Sequence, residues 1–448
     1  MINMTLAEAS IILKLNHPIT NTSFRGISID TRTLQKDNLF VAIKGSRVDG
    51  HDFIQEAYQK GAALALVSHP VNSPLLTLEV KDPIFSLGQL TAAWRQQFSI
   101  PFIAVTGSNG KTTLKNMIAA ILIAASKKEE VLFTQGTLNN HIGLPLTLAR
   151  LNQQHRYAVI EIGMNHFGEI ETLAQLAKPT VAVITNAAAS HLENLGDIAG
   201  VARAKAEIFK GLTKQGIAVF NRDDAFFNFW RDQWGARPSL TFGFHQDADI
   251  TGIIHETKLT QYMTLSTPEG SIDIRLPLLG KHNILNALAA AAATLAIGIK
   301  LDAIKQGLES TEAAPGRLQL HTLANGVNII DDTYNSNPFS LQAALDTLTA
   351  FAGEKILVLG DMKELGIEAK LFHTKAGEKI RAAGIQHLFT YGELSASTTQ
   401  SFGQGASHFN NQEKLVHALK PFLHQEATIL VKGSRSMHME KIIAELVQ

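Results

Sequence analysis

Short apolar runs alternate with helical patterns through the middle of the chain. Residues 102–106, 158–162, 181–185 and 217–221 are four such runs, rich in Val and Ile and separated by stretches with apolar residues at helical spacing. Buried parallel strands have this nearly continuous hydrophobic character because helices cover both faces of their sheet. The pattern therefore predicts a mostly parallel sheet within an α/β unit.

The N-terminal part of the chain predicts a smaller α/β unit. Segments 39–43 and 62–67 are apolar runs typical of strands, and 55–60 has a helical pattern. Pro83 and Pro101 bound a second helical stretch. Proline restricts the residue before it, so a domain boundary near residue 98 is expected.

The C-terminal part returns to the same rhythm after a polar interval. Segment 250–276 alternates polar and apolar residues, which predicts antiparallel strands attached to the middle unit. Pro315-Gly316-Arg317 marks a second predicted boundary. Beyond it, strands are predicted with helices between them at 328–331, 355–359, 388–391 and 428–431.

Chain length agrees with three units. At roughly 150 residues per domain, 448 residues suggest three domains. The predicted fold class is α/β, with a small N-terminal α/β domain at 1–98, a central domain with a mostly parallel sheet at 99–314, and a Rossmann-like α/β domain at 315–448.

Composition excludes several classes of function. Forty basic residues balance forty acidic ones, so no overall field favours nucleic acid or an anionic membrane. The absence of cysteine excludes disulfides and thiolate metal sites. The N-terminus lacks the pattern of a signal peptide, and the most apolar segment, 284–299, is short for a membrane span. We therefore expect a cytoplasmic protein with neither nucleic acid nor membrane as a partner.

A glycine-rich loop carries the main chemical prediction. It follows the strand at 102–106, opens a helix, and reads Thr106-Gly107-Ser108-Asn109-Gly110-Lys111-Thr112-Thr113. Glycines let backbone N–H groups close around phosphate oxygens, and the start of a helix adds positive potential. A lysine can reach the β- and γ-phosphates of a nucleotide, and a threonine hydroxyl can ligate Mg²⁺.

The loop is shorter than the general phosphate-binding pattern. That pattern has four residues between its first glycine and the Gly-Lys pair. Here Val105 occupies the first position, and Gly107 leaves only Ser108 and Asn109 before Gly110. The alternative is a helix-capping turn that happens to carry a lysine. The combination of strand, glycines, Lys-Thr and helix favours phosphate binding.

Polar residues follow the neighbouring predicted strands. Glu161 ends the strand at 158–162, Asn186 follows the strand at 181–185, and His191 comes five residues later. Ligands of open parallel sheets bind beyond the carboxyl ends of the strands. Glu161 and His191 are thus candidate ligands for Mg²⁺. The alternatives are that Glu161 caps a helix and that His191 is an ordinary loop residue. From spacing alone, Lys205 is expected on a solvated helix face.

At this point the motifs resemble those of the Mur ligase family of peptidoglycan synthesis, and the resemblance covers the whole chain. The shortened loop is similar to that family's ATP loop. The motifs at 359–366 and 432–437 resemble those of the family members that add D-alanyl-D-alanine. The matching motifs are Asp30-Thr31-Arg32, Asp49-Gly50-His51, Glu161-Ile162-Gly163-Met164-Asn165, Gly280-Lys281-His282-Asn283, Asp331-Asp332-Thr333-Tyr334-Asn335-Ser336-Asn337-Pro338, Leu359-Gly360-Asp361-Met362-Lys363-Glu364-Leu365-Gly366 and Lys432-Gly433-Ser434-Arg435-Ser436-Met437.

The resemblance implies a role for each site residue. ATP contacts are implied for Gly107, Ser108, Asn109, Gly110, Lys111, Thr112, Thr113, Asn283, Asn286, Arg317 and Asp332. Ligation of two Mg²⁺ ions is implied for Thr112, Glu161, His191 and Lys205, with Lys205 carbamylated and therefore anionic. Catalytic roles are implied for Lys111, His191 and Lys205. Substrate contacts are implied for Asp30, Thr31, Arg32, Gly45, His51, Asn139, Asn140, Asn335, Asn337, Lys432, Ser434 and Arg435.

The resemblance also implies the reaction and its reactants. ATP would phosphorylate the carboxylate of a UDP-N-acetylmuramoyl-tripeptide, bound by the N-terminal domain, and D-alanyl-D-alanine would attack the acyl phosphate. One departure is Thr137 where the family often has asparagine, beside the retained Asn139 and Asn140. A monomer is expected. The rivals are a sister ligase that adds diaminopimelate or lysine, a folylpolyglutamate-type ligase, and a nucleotide-driven switch.

Overall fold

The structure is a computed structural model that describes residues 1–15, 22–257 and 261–447. The N-terminal part is a four-stranded parallel sheet, ordered β3-β4-β5-β6, with a separate antiparallel pair β1-β2. Its elements are β1 (Asn3–Thr5), α1 (Leu6–Leu13), β2 (Ser23–Arg25), β3 (Ile27–Ser28), β4 (Leu39–Val41), α2 (Ile54–Gln59), β5 (Leu64–Val67), β6 (Thr77–Glu79) and α3 (Pro83–Arg95).

The central part contains a six-stranded, fully parallel sheet in the order β12-β11-β10-β7-β9-β8. Its first elements are β7 (Phe102–Thr106), α4 (Lys111–Ala125), β8 (Val131–Phe133), α5 (Gly143–Ala149), β9 (Tyr157–Glu161), α6 (Glu169–Ala177), β10 (Val181–Ile184), α7 (Leu192–Leu195), α8 (Ile198–Ala206), β11 (Ile217–Asn221), α9 (Phe227–Trp234) and β12 (Ser239–Phe242). The strand order reverses around β7, which is where ligand crevices open in such sheets.

The central part ends with an antiparallel three-stranded sheet, β13-β14-β15, and two helices. These elements are β13 (Thr251–Thr257), β14 (Gln261–Thr267), β15 (Gly270–Leu276), α10 (Lys281–Leu295) and α11 (Leu301–Glu309). Met263 and Leu265 of the small sheet share a buried cluster with Leu288 of α10. The antiparallel strands predicted within 250–276 are confirmed.

The C-terminal part is a six-stranded sheet ordered β16-β17-β21-β18-β19-β20, parallel except for the edge strand β16. Its elements are β16 (Gln319–Thr322), β17 (Asn328–Asp332), α12 (Pro338–Thr349), β18 (Glu354–Gly360), α13 (Ala369–Ala382), β19 (His387–Tyr391), α14 (Ala396–Phe402), β20 (Ala406–Phe409), α15 (Gln412–Leu419), β21 (Ala427–Lys432) and α16 (Glu440–Leu446). The predicted α/β class is confirmed.

Strand β7 shows how the sequence pattern builds the central core. Phe102 and Ala104 are buried in the hydrophobic cluster on one face of the sheet, and Ile103 and Val105 in the cluster on the other face. Successive strand residues point to opposite faces, so a strand covered on both sides must be apolar throughout. The four strands predicted in this region are all present.

The hydrophobic clusters join the first two parts of the molecule and separate the third. One cluster extends from Leu6 and Leu39 to Phe102 and Ile160, across the predicted boundary near residue 98. A hydrogen bond of 3.2 Å from Trp94 Nε1 to the Leu151 carbonyl reinforces this junction. The two clusters of the C-terminal part lie wholly within residues 318–446. The C-terminal part therefore has its own core.

We predict that Gly307→Ala destabilises the packing of α11 on α4. A Cβ at Gly307 would overlap the backbone of Ile121 and lie 2.5 Å from its nitrogen. Overpacking of this kind typically costs about 1–3 kcal/mol in free energy of unfolding, measurable by urea denaturation. As a control, Gly88→Ala in α3 would meet only Leu176 Cδ1 at 3.4 Å. That variant should be neutral or slightly stabilising; equal unfolding midpoints for both variants would contradict the packing account.

Candidate active site

The phosphate loop is packed too closely for side chains at its two glycines. Gly107 has φ 148° and Gly110 has φ 84°, values that other residues rarely adopt. A Cβ on Gly107 would overlap the side chain of Thr185, and one on Gly110 would lie 2.5 Å from Asn286 Oδ1. The loop therefore needs glycine at both positions for conformational and steric reasons.

Polar groups at the end of β10 hold the centre of the loop. The backbone N–H of Asn109 donates to Asn186 Oδ1 (3.0 Å), while Asn186 Nδ2 donates back to the Asn109 carbonyl (3.1 Å). Thr185 Oγ1 donates to the same carbonyl at 2.7 Å. This reciprocal bonding fixes the loop to the neighbouring strand. It gives a structural reason for a side-chain amide, that of Asn186, directly after the predicted strand at 181–185.

Lys111 is the first residue of α4, and its side chain folds back under the loop. Its Nζ donates to the carbonyls of Gly107 at 2.7 Å and Ser108 at 3.3 Å. Burial lowers the pKa of this amine, the charge of Glu161 opposes that shift, and the charge of Arg317 adds to it. A cation held at the start of a helix in this way suits binding of phosphate.

Glu161 is the buried carboxylate at the end of β9. Its Oε2 accepts a hydrogen bond from Thr112 Oγ1 (2.9 Å), and its Oε1 accepts one from Asn139 Nδ2 (2.6 Å). Its side chain thus bonds other side chains and does not cap a helix, so the helix-cap alternative is wrong. The pair of a carboxylate and a hydroxyl beside the phosphate loop has the oxygen chemistry that Mg²⁺ prefers.

His191 meets the C-terminal domain directly. It precedes α7 with φ 54°, and its Nδ1 lies 2.8 Å from Oε2 of Glu364, which itself has φ 64°. Left-handed backbone at a residue other than glycine costs on the order of 1 kcal/mol and clusters at functional sites. The hydrogen bond from His191 holds the pKa of Glu364 below its usual value.

Lys205 does not lie on the solvated helix face that its spacing in the sequence predicts. Only 1% of the residue is exposed on α8, so the prediction of a solvated face is wrong. Its neighbours Val201 and Ala204 are equally buried because the helix packs into the central core. Burial, followed by the charge of Lys111, holds the pKa of Lys205 well below its usual value. Within the described residues its amine has no hydrogen bond or ion pair.

Two asparagines of α10 lie behind the loop. Asn283 Nδ2 donates to the Leu279 carbonyl at 2.7 Å, and Asn286 Nδ2 donates to Asn283 Oδ1 at 3.0 Å. Both residues are buried, and Asn286 lies against Gly110. The sequence motif around 280–286 therefore belongs to the environment of the phosphate loop.

The C-terminal domain supplies the facing wall. Arg317 lies over the ring of Tyr334, 4.0 Å from its centre, and burial lowers the pKa of the guanidinium. Asn337 Nδ2 donates to Asn109 Oδ1 at 2.9 Å, and it also caps the start of α12. The phosphate loop is thus bonded to both the central and the C-terminal domain.

Lys432 bonds two residues close in sequence to Tyr334 and Asn337 of this wall. It is almost fully buried, and its Nζ donates to Asp332 Oδ2 (2.6 Å) and to the Asn335 carbonyl (2.9 Å). Ser434 Oγ accepts from the N–H of Lys363 at 2.8 Å. Arg435 pairs with Glu440 at the surface, 5.9 Å from the ring of Tyr334.

A cavity of about 690 Å³ lies between these walls. It brings together many predicted site residues, namely Ser108, Asn109, Gly110, Lys111, Asn139, Asn140, Glu161, His191, Arg317, Asn335 and Asn337. Gly107, Thr112, Thr113, Lys205, Asn283, Asn286, Asp332, Lys432, Ser434 and Arg435 do not line it. It also exposes polar residues that sequence reasoning gave no role, including His141, Asn165, Ser190, Tyr334, Lys363 and Glu364. Asn165, Tyr334, Lys363 and Glu364 lie within the sequence motifs at 161–165, 331–338 and 359–366, and membership of those motifs was the only indication of a site role that the sequence offered.

The predicted residues of the N-terminal domain lie outside this cavity. His51 lines a second cavity of about 720 Å³ together with Lys44, Ser68 and Phe85. Its Nδ1 lies 2.6 Å from Asp49 Oδ1, and its Nε2 accepts from the N–H of Ser68 at 2.9 Å. This cavity offers a second binding position.

The remaining N-terminal predictions, Asp30, Thr31, Arg32 and Gly45, do not line either of these cavities. Hydrogen bonds from Arg32 lower the pKa of Asp30 to about 2. The Thr31 carbonyl accepts from Lys60 Nζ at 2.9 Å. Asp30 and Arg32 therefore pair with each other beside the buried Thr31.

The fold and the comparison with known proteins define a class, the ATP-dependent ligases. Three family models match: "Mur ligase family, catalytic domain" at residues 23–95, "Mur ligase middle domain" at 105–294 and "Mur ligase, glutamate ligase domain" at 316–435. The chain belongs to the Mur ligase family. The predicted family is confirmed, while the domain boundaries and site roles stay predictions.

Individual relatives cover the whole chain. The UDP-N-acetylmuramoyl-tripeptide–D-alanyl-D-alanine ligase of Escherichia coli (strain K12) is 44% identical, covering 100% of this chain and 99% of the relative. A crystal structure of MurF from Acinetobacter baumannii is 34% identical, with a TM-score of 0.92 and 99% of each chain covered. MurF ligase from Thermotoga maritima in complex with ADP is 28% identical, with a TM-score of 0.85 over 94% of this chain and 97% of that one.

The rival ligases resemble the chain only in fold. A diaminopimelate-adding ligase and the folylpolyglutamate synthase of Mycobacterium tuberculosis are 18% and 19% identical, with TM-scores of 0.55 and 0.65.

Two features are absent from the described residues. No helix there is long and apolar enough to cross a membrane. No three His, Asp or Glu side chains there are grouped to hold a metal ion.

We predict that Lys432→Met destabilises the protein strongly, because it leaves the Asp332 carboxylate buried without its partner. Loss of one member of a buried pair typically costs about 3–5 kcal/mol in free energy of unfolding, measurable by urea denaturation. Lys432→Met with Asp332→Asn should recover part of this loss. Lys210→Met, which breaks an exposed pair with Glu171, should cost less than about 1 kcal/mol. A similar cost for the two single variants would contradict the structural role of Lys432.

Proposed function

We propose that the protein is an ATP-dependent ligase that joins D-alanyl-D-alanine to UDP-N-acetylmuramoyl-tripeptide in peptidoglycan precursor synthesis. The observation that carries this proposal is the cavity between the central and C-terminal domains, which places the phosphate loop opposite Arg317 and Asn337. The full-length similarity to ligases with this printed activity supports the same reaction. The ADP complex of a relative supports nucleotide binding.

ATP binds along the phosphate loop in this proposal. Lys111 and the backbone N–H groups at the start of α4 hold the phosphates, and Arg317 approaches them from the C-terminal domain. Asn283 and Asn286 lie on the side of the loop where the adenine would bind, and Asp332 would contact the ribose. Most of the rate enhancement would come from positioning and from stabilising the negative charge that develops during phosphoryl transfer.

The donor set beside the loop fits Mg²⁺. Thr112 and Glu161 bond to each other at the end of β9, and His191 lines the same cavity. A small number of protein ligands is normal for Mg²⁺, because water molecules and substrate phosphates fill its other coordination positions. Bound there, Mg²⁺ would neutralise charge on the phosphates and on the attacking carboxylate.

The reaction proceeds in two steps. The terminal carboxylate of the tripeptide attacks the γ-phosphorus of ATP, which forms an acyl phosphate and releases ADP. The amine of D-alanyl-D-alanine then attacks the acyl carbon and loses a proton, the tetrahedral intermediate expels phosphate, and an amide bond remains. Lys111 and the loop N–H groups offset the repulsion between the two anionic reactants of the first step.

Lys205 has the properties needed for carbamylation. Its depressed pKa favours the neutral amine, which is the form that adds to CO₂ with loss of one proton. The product is an anion, and an anion suits a second Mg²⁺ and the nearby cation of Lys111 better than a second ammonium does. The same burial that makes Lys205 unusual as a cation therefore supports a carbamate there.

The two cavities divide the substrates between domains. The acyl and phosphoryl groups would react in the cavity between the central and C-terminal domains, near Asn139, Asn140, Asn335 and the elements that carry Ser434 and Arg435. The second cavity, which His51 lines, is our candidate position for the uridine end of the nucleotide sugar, with Asp30, Thr31, Arg32 and Gly45 nearby in the sequence motif. We expect the protein to act in the cytoplasm as a monomer.

The choice of amine tests the proposed function. With ATP, Mg²⁺ and UDP-N-acetylmuramoyl-tripeptide, we expect D-alanyl-D-alanine to stimulate phosphate release at least about 100-fold more than diaminopimelate, lysine or glutamate at equal concentration. The product should carry the added dipeptide, as mass spectrometry would show. Preference for another amine would overturn the substrate assignment. Hydrolysis without any amine would favour a nucleotide-driven switch.

We predict that Lys205→Ala is nearly inactive and that a small carboxylic acid such as formate partly restores ligation. The free acid can occupy the space of the lost side chain and supply the anion that a carbamate would provide. Lys210→Ala, which removes an exposed lysine nearby in the chain, should retain activity and ignore the acid. Full activity of Lys205→Ala without acid would contradict a carbamate role.

A further inference from the structure

Glu364 and His191 are held toward each other by unusual backbone on both sides. His191 has φ 54°, and its carbonyl accepts hydrogen bonds from the N–H groups of Asn194 and Leu195, both 3.1 Å long. Glu364 has φ 64°, between the buried side chains of Met362 and Leu365. The backbone of each residue is therefore held in a conformation that residues other than glycine rarely adopt.

The loop that carries Glu364 is fixed to its own domain at two further points. The N–H of Met362 donates to His373 Nε2 at 3.0 Å, and the N–H of Lys363 donates to Ser434 Oγ at 2.8 Å. Both bonds precede Glu364 by one or two residues. Glu364 is thus a rigid extension of the C-terminal domain toward the central one.

The contact continues beyond the two side chains. A Cβ built on Gly366 would lie 3.7 Å from the backbone of Glu193, in the helix that His191 begins. Asn337 bonds Asn109, and both residues line the cavity. The C-terminal domain therefore contacts the central domain at two places on the border of the nucleotide cavity.

The chemistry of the pair determines which nitrogen of His191 is available. A carboxylate can only accept, so the 2.8 Å contact requires a proton on Nδ1. In a neutral imidazole the lone pair is then on Nε2. Histidines that ligate metals commonly donate their other ring N–H to a carboxylate in this way, which fixes both tautomer and orientation.

We infer that Glu364 is a positioning residue that makes His191 competent as a ligand only when the C-terminal domain is docked. Docking brings the carboxylate to Nδ1, which leaves Nε2 as the acceptor on a residue that lines the cavity. The central domain alone has His191 but lacks the group that selects its tautomer. This inference rests on the proposed function, because it assigns the partner of His191 within that same site.

Metal binding in the presence of nucleotide tests the inference apart from catalysis. We expect Glu364→Ala to weaken binding of Mn²⁺ with a non-hydrolysable ATP analogue by about 10–100-fold, measured by electron paramagnetic resonance of free Mn²⁺. Glu368→Ala removes an exposed carboxylate four residues away and should bind as wild type. In a His191→Ala background, Glu364→Ala should add less than about twofold, because its partner is already absent.

The tautomer provides a second measurement. Proton–nitrogen correlation spectra of protein with ¹⁵N-labelled histidine should show His191 protonated at Nδ1 in wild type, with its signal identified by His191→Asn among the 17 histidines. In Glu364→Ala the signal should move to the other tautomer or to an average of both. An unchanged signal in that variant would overturn the inference.

Two further outcomes would also overturn it: Mn²⁺ binding by Glu364→Ala equal to that of Glu368→Ala, or equal losses from Glu364→Ala with and without His191. These results are separable from failure of the proposed function. A wild-type protein that shows the coupling but does not ligate D-alanyl-D-alanine would refute only the substrate assignment. Ligation by wild type without the coupling would refute only the role of Glu364.

Discussion

The rest of the site depends on the hydrogen bonds that join Asn109 to Thr185 and Asn186, the two residues after β10. Thr185 and Asn186 bond both the N–H and the carbonyl of this one loop residue. Because Asn186 occupies the N–H groups of Ser108 and Asn109, the N–H groups at the start of α4 are the ones left for phosphate. Asn337 bonds the side chain of Asn109, so the C-terminal domain contacts the loop at the residue that Thr185 and Asn186 already hold.

This arrangement follows from how the cores are divided. The N-terminal and central domains share a continuous hydrophobic cluster, so their relative position is set by burial of apolar surface. The C-terminal domain keeps its clusters to itself, and the contacts that border the cavity, such as His191 with Glu364, are polar. Polar contacts exchange readily with water and substrates, which suits an interface that must admit ATP and release ADP.

The sequence predicts the buried strands well and the edge strands poorly. Phe102–Thr106 and Val181–Ile184 are apolar on both faces and were expected as strands. Ser239–Phe242, Gln319–Thr322 and Ala406–Phe409 were not, and each forms the edge of a sheet. An edge strand needs fewer apolar side chains, so its pattern resembles that of a loop.

Site residues divide in a similar way. Lys111 and Glu161 were accessible from the sequence because each occupies a strand end or a glycine loop with a stated chemistry. Spacing placed Lys205 in solvent, since only tertiary packing buries the side of α8 that carries it. Glu364 could not be found from local pattern, because its partner lies in another domain and the contact exists only after both domains fold.

A crystal structure with Mg²⁺ and a non-hydrolysable ATP analogue tests the central claim, that the central and C-terminal domains form one nucleotide site, most directly. The account predicts the triphosphate along residues 107–113, with Arg317 in contact with the nucleotide and Asn337 still bonded to Asn109. A nucleotide held by the central domain alone, with the C-terminal residues out of contact, would contradict it.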